Sequence, residues 1–309
     1  MRPLALGLGG ALFAAVILGD VFFVLATDGD GTCRVPLLDY SDQACEFVAA
    51  PKSVMWFALV VGQVALWMAL LVALWGTRGE PLEGSGLVRV AALSLLLLAG
   101  GFQVLATNLA IRDSPLPLHS ERAVALAIPA IVVAWFGVIQ IWRIHATVAA
   151  IDGPGSHPTP GAAVLKRYLR LEEMLRRLLN IEGAIIAAAV LGSGALRNAL
   201  SEWNERPGVR VEVVPVEYVL IYGAFYSGLL ALVYIPAYAR LQAWGRALRD
   251  RAADVPAPGS QRWSDGYAKR RQLEDLLKLG TTPAESFTAG VAILAPLGTS
   301  LVTLLLGEG

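Results

Sequence analysis

Seven apolar runs of about 20 residues each, separated by polar stretches, leave this chain few folds to choose from. They occupy residues 4–26, 54–75, 88–110, 123–148, 181–200, 218–238 and 284–306. At about 1.5 Å per residue, a helix of that length crosses the roughly 30 Å hydrocarbon core of a bilayer. Lipid offers no partner to a bare backbone N–H or C=O, so such runs fold as helices. Charged residues are only 16% of the chain and apolar ones 56%, whereas soluble domains carry about a quarter charged. The expected fold class is therefore all-α: a polytopic transmembrane helix bundle of about seven spans, built as a single integral membrane domain over residues 1–309.

Net charge is zero, which gives no reason to expect nucleic acid as a partner. Its distribution is more informative. When the loops are assigned alternately to the two sides, 18 of the 25 Lys and Arg fall on the side of the N-terminus. The positive-inside rule then predicts a cytoplasmic N-terminus, and an odd span count predicts an extracytoplasmic C-terminus, in the plasma (cytoplasmic) membrane. Asp28, Asp30, Asp39, Asp42 and Glu46 crowd the first outer loop, together with Cys33 and Cys45. A Cys33–Cys45 disulfide is expected there, since such bonds persist in oxidising compartments. The same loop holds Asp28-Gly-Asp-Gly, but no Glu follows at calcium-loop spacing, so a turn is the reading.

Two basic amphipathic helices are expected on the cytoplasmic side. In the first, Val164, Tyr168, Leu171, Met174 or Leu175, and Leu178 form an apolar stripe. Lys166, Arg167 and Arg170 lie beside it, as Lys269, Arg270 and Arg271 do in the second. Such helices lie on anionic lipid headgroups, pack together below the membrane, or bind an anionic ligand or cytoplasmic protein. The first runs without a break into the fifth apolar segment, where Glu182 sits in the first turn and is expected to reach the interface. Ala184, Ala188 and Gly192, four residues apart, give that segment a face for close helix packing. In the sixth, Tyr222 and Tyr226 are placed to share a cavity wall, and Tyr218 and Tyr238 to anchor at the interface.

The last segment opens with Thr282, Pro283 and Glu285, an N-cap, a first-turn proline and a capping-box carboxylate. Thr288, Thr299 and Thr303 then lie on a small, hydroxyl-bearing stripe, near a kink expected at Pro296 and Gly298. In the first segment, Asp20 is an ionisable residue inside an apolar run, which marks a functional site or a hydrated end. A weak internal repeat relates residues 123–200 to 218–306, with Leu-Glu-Glu-Met-Leu at Leu171 above Leu-Glu-Asp-Leu-Leu at Leu273. Parallel repeats of this kind occur in transport proteins.

Catalytic chemistry leaves no signature. No P-loop, dinucleotide fingerprint, zinc helix or nucleophile elbow is present, so the expectation is a protein that is not an enzyme, with no cofactor and no metal. The expected function is a homo-oligomeric channel or pore-type conduit for ions or small solutes. Its path would be lined by Thr288, Thr299, Thr303 and Asp20, with gating through the basic loops. A non-conducting sensor or scaffold that binds a cytoplasmic partner, and an alternating-access carrier, are the alternatives.

Overall fold

The computed structural model describes residues 26–27, 33–34, 46–47, 49–75, 86–108, 119–151, 161–211, 213, 215–253, 259 and 262–292. Among them are seven helices: α1 (Pro51–Trp75), α2 (Leu87–Asn108), α3 (His119–Ile151), α4 (Ala162–Asn204), α5 (Val216–Ala252), α6 (Trp263–Leu276) and α7 (Pro283–Ala292). A two-residue antiparallel pairing joins Ala26–Thr27 (β1) to Cys33–Arg34 (β2). Asp20, Thr299, Thr303, Cys45 and the side chain of Thr288 lie outside the described residues, as do most of the first and last apolar segments.

Four helices contain stretches long and apolar enough to cross a membrane: Pro51–Leu74, Ala127–Ile151, Ala162–Asn204 and Glu217–Ala252. A shorter apolar stretch occupies Leu87–Phe102. Their outer faces suit lipid. Leu93, Leu96, Ile128, Leu220, Ile221 and Leu232 are all exposed, an apolar surface that water would penalise and hydrocarbon accepts.

The bundle is organised around α4, which packs against α1, α3, α5 and α7. With 43 residues, α4 is roughly 65 Å long, about twice the thickness of a bilayer core. It must therefore project beyond any membrane it crosses. Its companion α5 has 37 residues and projects with it. The stretch from Arg240 to Ala252, which follows the sixth apolar run, continues its helix, since no proline interrupts the backbone ladder there.

At the basic end of α4 the apolar stripe meets protein. Tyr168, Leu171, Met174, Leu175 and Leu178 are buried in one core with Leu241, Trp244 and Leu248 of α5. The rings of Tyr168 and Trp244 lie 5.6 Å apart. Gly245 permits this approach: a Cβ there would fall 2.7 Å from the Tyr168 ring. Of the surroundings open to this stretch, its apolar face takes packing against protein. The second basic helix differs, since α6 buries none of its side chains.

The two members of the sequence repeat also differ locally. Leu171–Leu175 lies inside unbroken α4, whereas Leu273–Leu277 closes α6 and is followed by a turn in which Lys278 takes a φ of 52°.

Candidate functional site

Glu182 is the twenty-first of the 43 residues of α4, and at 4% exposure it is buried. One turn to either side, Leu178, Leu179 and Ile185 are buried as well. The carboxyl turns inward onto α3, where it occupies the volume that a side chain on Gly137 would fill. Oε1 has no hydrogen-bond partner among the described residues. The expectation of a first-turn residue reaching the interface is thus corrected. The unbroken helix from Ala162 is as expected, but the Glu182 head group is enclosed against α3 and does not reach outward.

Sequence reasoning missed this site because the fifth apolar run begins at Ile181, which puts Glu182 at its edge. A signal was present: Gly137 stands inside the fourth apolar segment, in α3, where alanine or leucine would favour the helix more. Its value lies in the room it leaves.

Polar side chains continue along the same helices. Gln140, one turn beyond Gly137, is buried and accepts a 3.4 Å hydrogen bond from Arg143 Nη1. Across the bundle, Gln63 of α1 donates from Nε2 to the Ala188 carbonyl and lies over Gly192. The expected close-packing face of the fifth segment therefore takes up, at Ala188 and Gly192, a helix of the same chain. Tyr222 and Tyr226 lie side by side, with ring centroids 4.8 Å apart, and the Tyr226 hydroxyl donates to the Leu98 carbonyl at 3.4 Å. Tyr238 departs from its expected role as an interface anchor. It is buried, stacks on Tyr234 at 5.7 Å and shares a 2.7 Å hydrogen bond with Thr281 Oγ1, because α5 runs well past it.

The basic end is a network of paired charges. Glu172, 2% exposed, accepts from Lys278 Nζ at 2.9 Å and faces Arg176 at 3.7 Å. Arg249 pairs with Asp250 and Glu274, and Arg270 joins them through Asp250 at 2.9 Å. Lys166, Arg170, Lys269 and Arg271 are exposed, whereas Arg167 and Arg270 are half-buried. The two basic sets sit on helices that both pack on α5. The turn after α6 is pinned to that pair as well: Tyr168 donates its hydroxyl to the Leu277 carbonyl at 3.2 Å, and Gln242 Nε2 donates to Lys278 O at 3.2 Å. Next, Thr282 caps α7 as expected. The Thr282 N–H donates to Glu285 Oε2 at 2.7 Å, and the Glu285 N–H donates to Thr282 Oγ1 at 3.2 Å.

Long apolar helices, lipid-suited outer faces and an enclosed carboxyl define a membrane-embedded helical protein. Compared with known protein families, curated proteins and solved structures, the chain matches none.

Proposed function

We propose that this protein is a multi-pass protein of the plasma membrane, assembling as a homo-oligomer and providing a channel or pore-type path for ions or a small solute. The observation that carries the reading is Glu182, an enclosed acidic side chain midway along the central helix whose Oε1 has no hydrogen-bond partner among the described residues. Ionisable residues are rare inside membrane helices and mark ion pathways and relays, since placing them there costs several kcal/mol. Asp20, Thr288, Thr299 and Thr303 belong to the same proposal as further lining. On the charge argument the network around Glu172 and Arg249 is cytoplasmic, and the exposed Lys166, Arg170, Lys269 and Arg271 face anionic headgroups or an anionic ligand that gates the path.

Reconstitution tests this. Full-length protein in liposomes should pass ions or a small solute, and Glu182→Gln should cut that flux at least tenfold while leaving the melting profile in detergent close to that of the parent. An unaltered flux in Glu182→Gln would remove Glu182 from the path.

A second reading has one observation in its favour. On α6, Trp263 and Tyr267 stack at 5.7 Å while remaining 40% and 52% exposed, a surface suited to a cytoplasmic protein partner. Under that reading the chain is a non-conducting sensor or scaffold. Absence of any flux, together with a stable complex lost in Trp263→Ala, would favour it.

A further inference from the structure

Glu182 poses a chemical question that the conduit reading leaves open, namely which positive partner its carboxyl takes. An isolated charge buried among apolar side chains is costly, so a carboxyl in this position requires a proton, a metal cation or a basic residue.

Among the described side chains of the helices packed against α4, the following candidates have partners elsewhere. On α1 the single ionisable side chain is Lys52, at the end where its backbone N–H donates to Glu202. On α3, Arg143 reaches Gln140, and His145 stacks on Trp142. On α5, Tyr226 is committed to Leu98 and Tyr234 to Ser286, and Arg240 approaches His145. On α7 the single ionisable side chain is Glu285, held in the Thr282 cap. None of these interactions reaches Glu182.

A metal cation needs several oxygen or nitrogen ligands arranged around it. Among the described residues no cluster of three His, Cys, Asp or Glu exists. The wall facing the carboxyl is Gly137, whose neighbours one turn away on α3 include the buried Val133 and Ile141. A proton needs one oxygen and no such shell.

We infer that Glu182 is a proton-binding site, and that the proton is the ion which the path carries or to which it is coupled. This inference rests on the conduit reading. The step is a simple one: the carboxylate takes up one proton to become the acid, and releases it when its surroundings open to water. No bond other than O–H is made or broken. Gly137 is part of the site, because any side chain there would displace the acid.

The test separates the proton from the path. A hydrophobic carbodiimide adds to a protonated carboxylic acid in an apolar setting and leaves a stable N-acylurea. Full-length protein in membranes is treated with it over a series of pH values and digested, and the label is located by mass spectrometry. In parallel, liposomes holding the protein and a pH-sensitive dye report proton flux, and tracer ions report other fluxes. The expected result is a label on Glu182 and not on the exposed Glu173 or Glu205. It should fall at least tenfold from acidic to alkaline pH, accompany a dye-reported proton flux, and be lost in Glu182→Gln. Glu182→Asp, which keeps the acid, should retain part of both signals. No label on Glu182 at any pH, or a label that does not change with pH, overturns the proton assignment even if tracer ions flow. A pH-dependent label with no flux of any kind overturns the conduit, and the coupling falls with it.

Discussion

The Glu182 carboxyl fills the volume that a Cβ on Gly137 would take, so these two residues form one interlocked contact between α3 and α4. Gly137→Ala should therefore destabilise the protein by about 1–3 kcal/mol, the usual cost of overpacking. Truncating the acid removes the collision, so Glu182→Ala with Gly137→Ala should recover most of that loss. A double-mutant cycle on melting curves of purified protein in detergent measures the coupling. Additive effects would mean that the contact is absent.

The Tyr168–Trp244 contact makes a stronger prediction at the basic end. Trp244 is fully buried there, and Trp244→Ala should cost about 3–5 kcal/mol through lost burial and the cavity it leaves. Gly245→Val should also destabilise, by driving a side chain into the Tyr168 ring. Denaturant unfolding in detergent, followed by tryptophan fluorescence of the remaining indoles, reads both.

Lys278 holds the turn before α7 through Glu172. Lys278→Met leaves a buried carboxylate with only the more distant Arg176, and the expected cost is about 1–3 kcal/mol. Since Lys278 is itself half-exposed, part of the Coulomb attraction is already screened by solvent, which places the effect toward the lower end. Glu172→Gln in the same chain should restore stability. Proteolytic sensitivity of the Leu277–Thr282 turn offers a second readout.

Thr282→Ala removes the hydroxyl that caps α7, and should cost about 1 kcal/mol. The loss should be local. Hydrogen exchange at the amides of Glu285 and Ser286 should quicken in this variant, while amides around Leu175 stay protected.

What could be read from the chain divides along a physical line. The cap at Thr282 and Glu285 was legible because every atom in it lies within four residues. The apolar stripe from Val164 to Leu178 was legible too, since helical spacing shows on its own. Its partner was not: whether Tyr168 meets lipid or Trp244 depends on a helix about 75 residues later in the chain, and lipid and protein are equally acceptable to an apolar face. Glu182 and Tyr238 were misplaced for a related reason. Hydropathy draws segment ends where polarity begins, but α5 continues past that point at Tyr238, and at Glu182 the edge of the apolar run is covered by α3. For the candidate site, the acid and the glycine were each visible, and only the packing of α3 on α4 joins them.

Helices α3 and α5 each carry an internal proline, Pro129 and Pro236, but α4 carries none from Ala162 to Asn204. From Ala162 to Glu182 it holds no glycine either, so this part of the helix can act as a stiff arm. Over its length of roughly 30 Å, a tilt of about 5° about one end moves the other by about 3 Å. Glu182 sits near the midpoint of α4, with the Glu172 network toward one end and the Trp203 cluster at the other. Any force applied at Lys166 or Arg170 is thereby delivered, without a joint to absorb it, to the carboxyl that lies against Gly137.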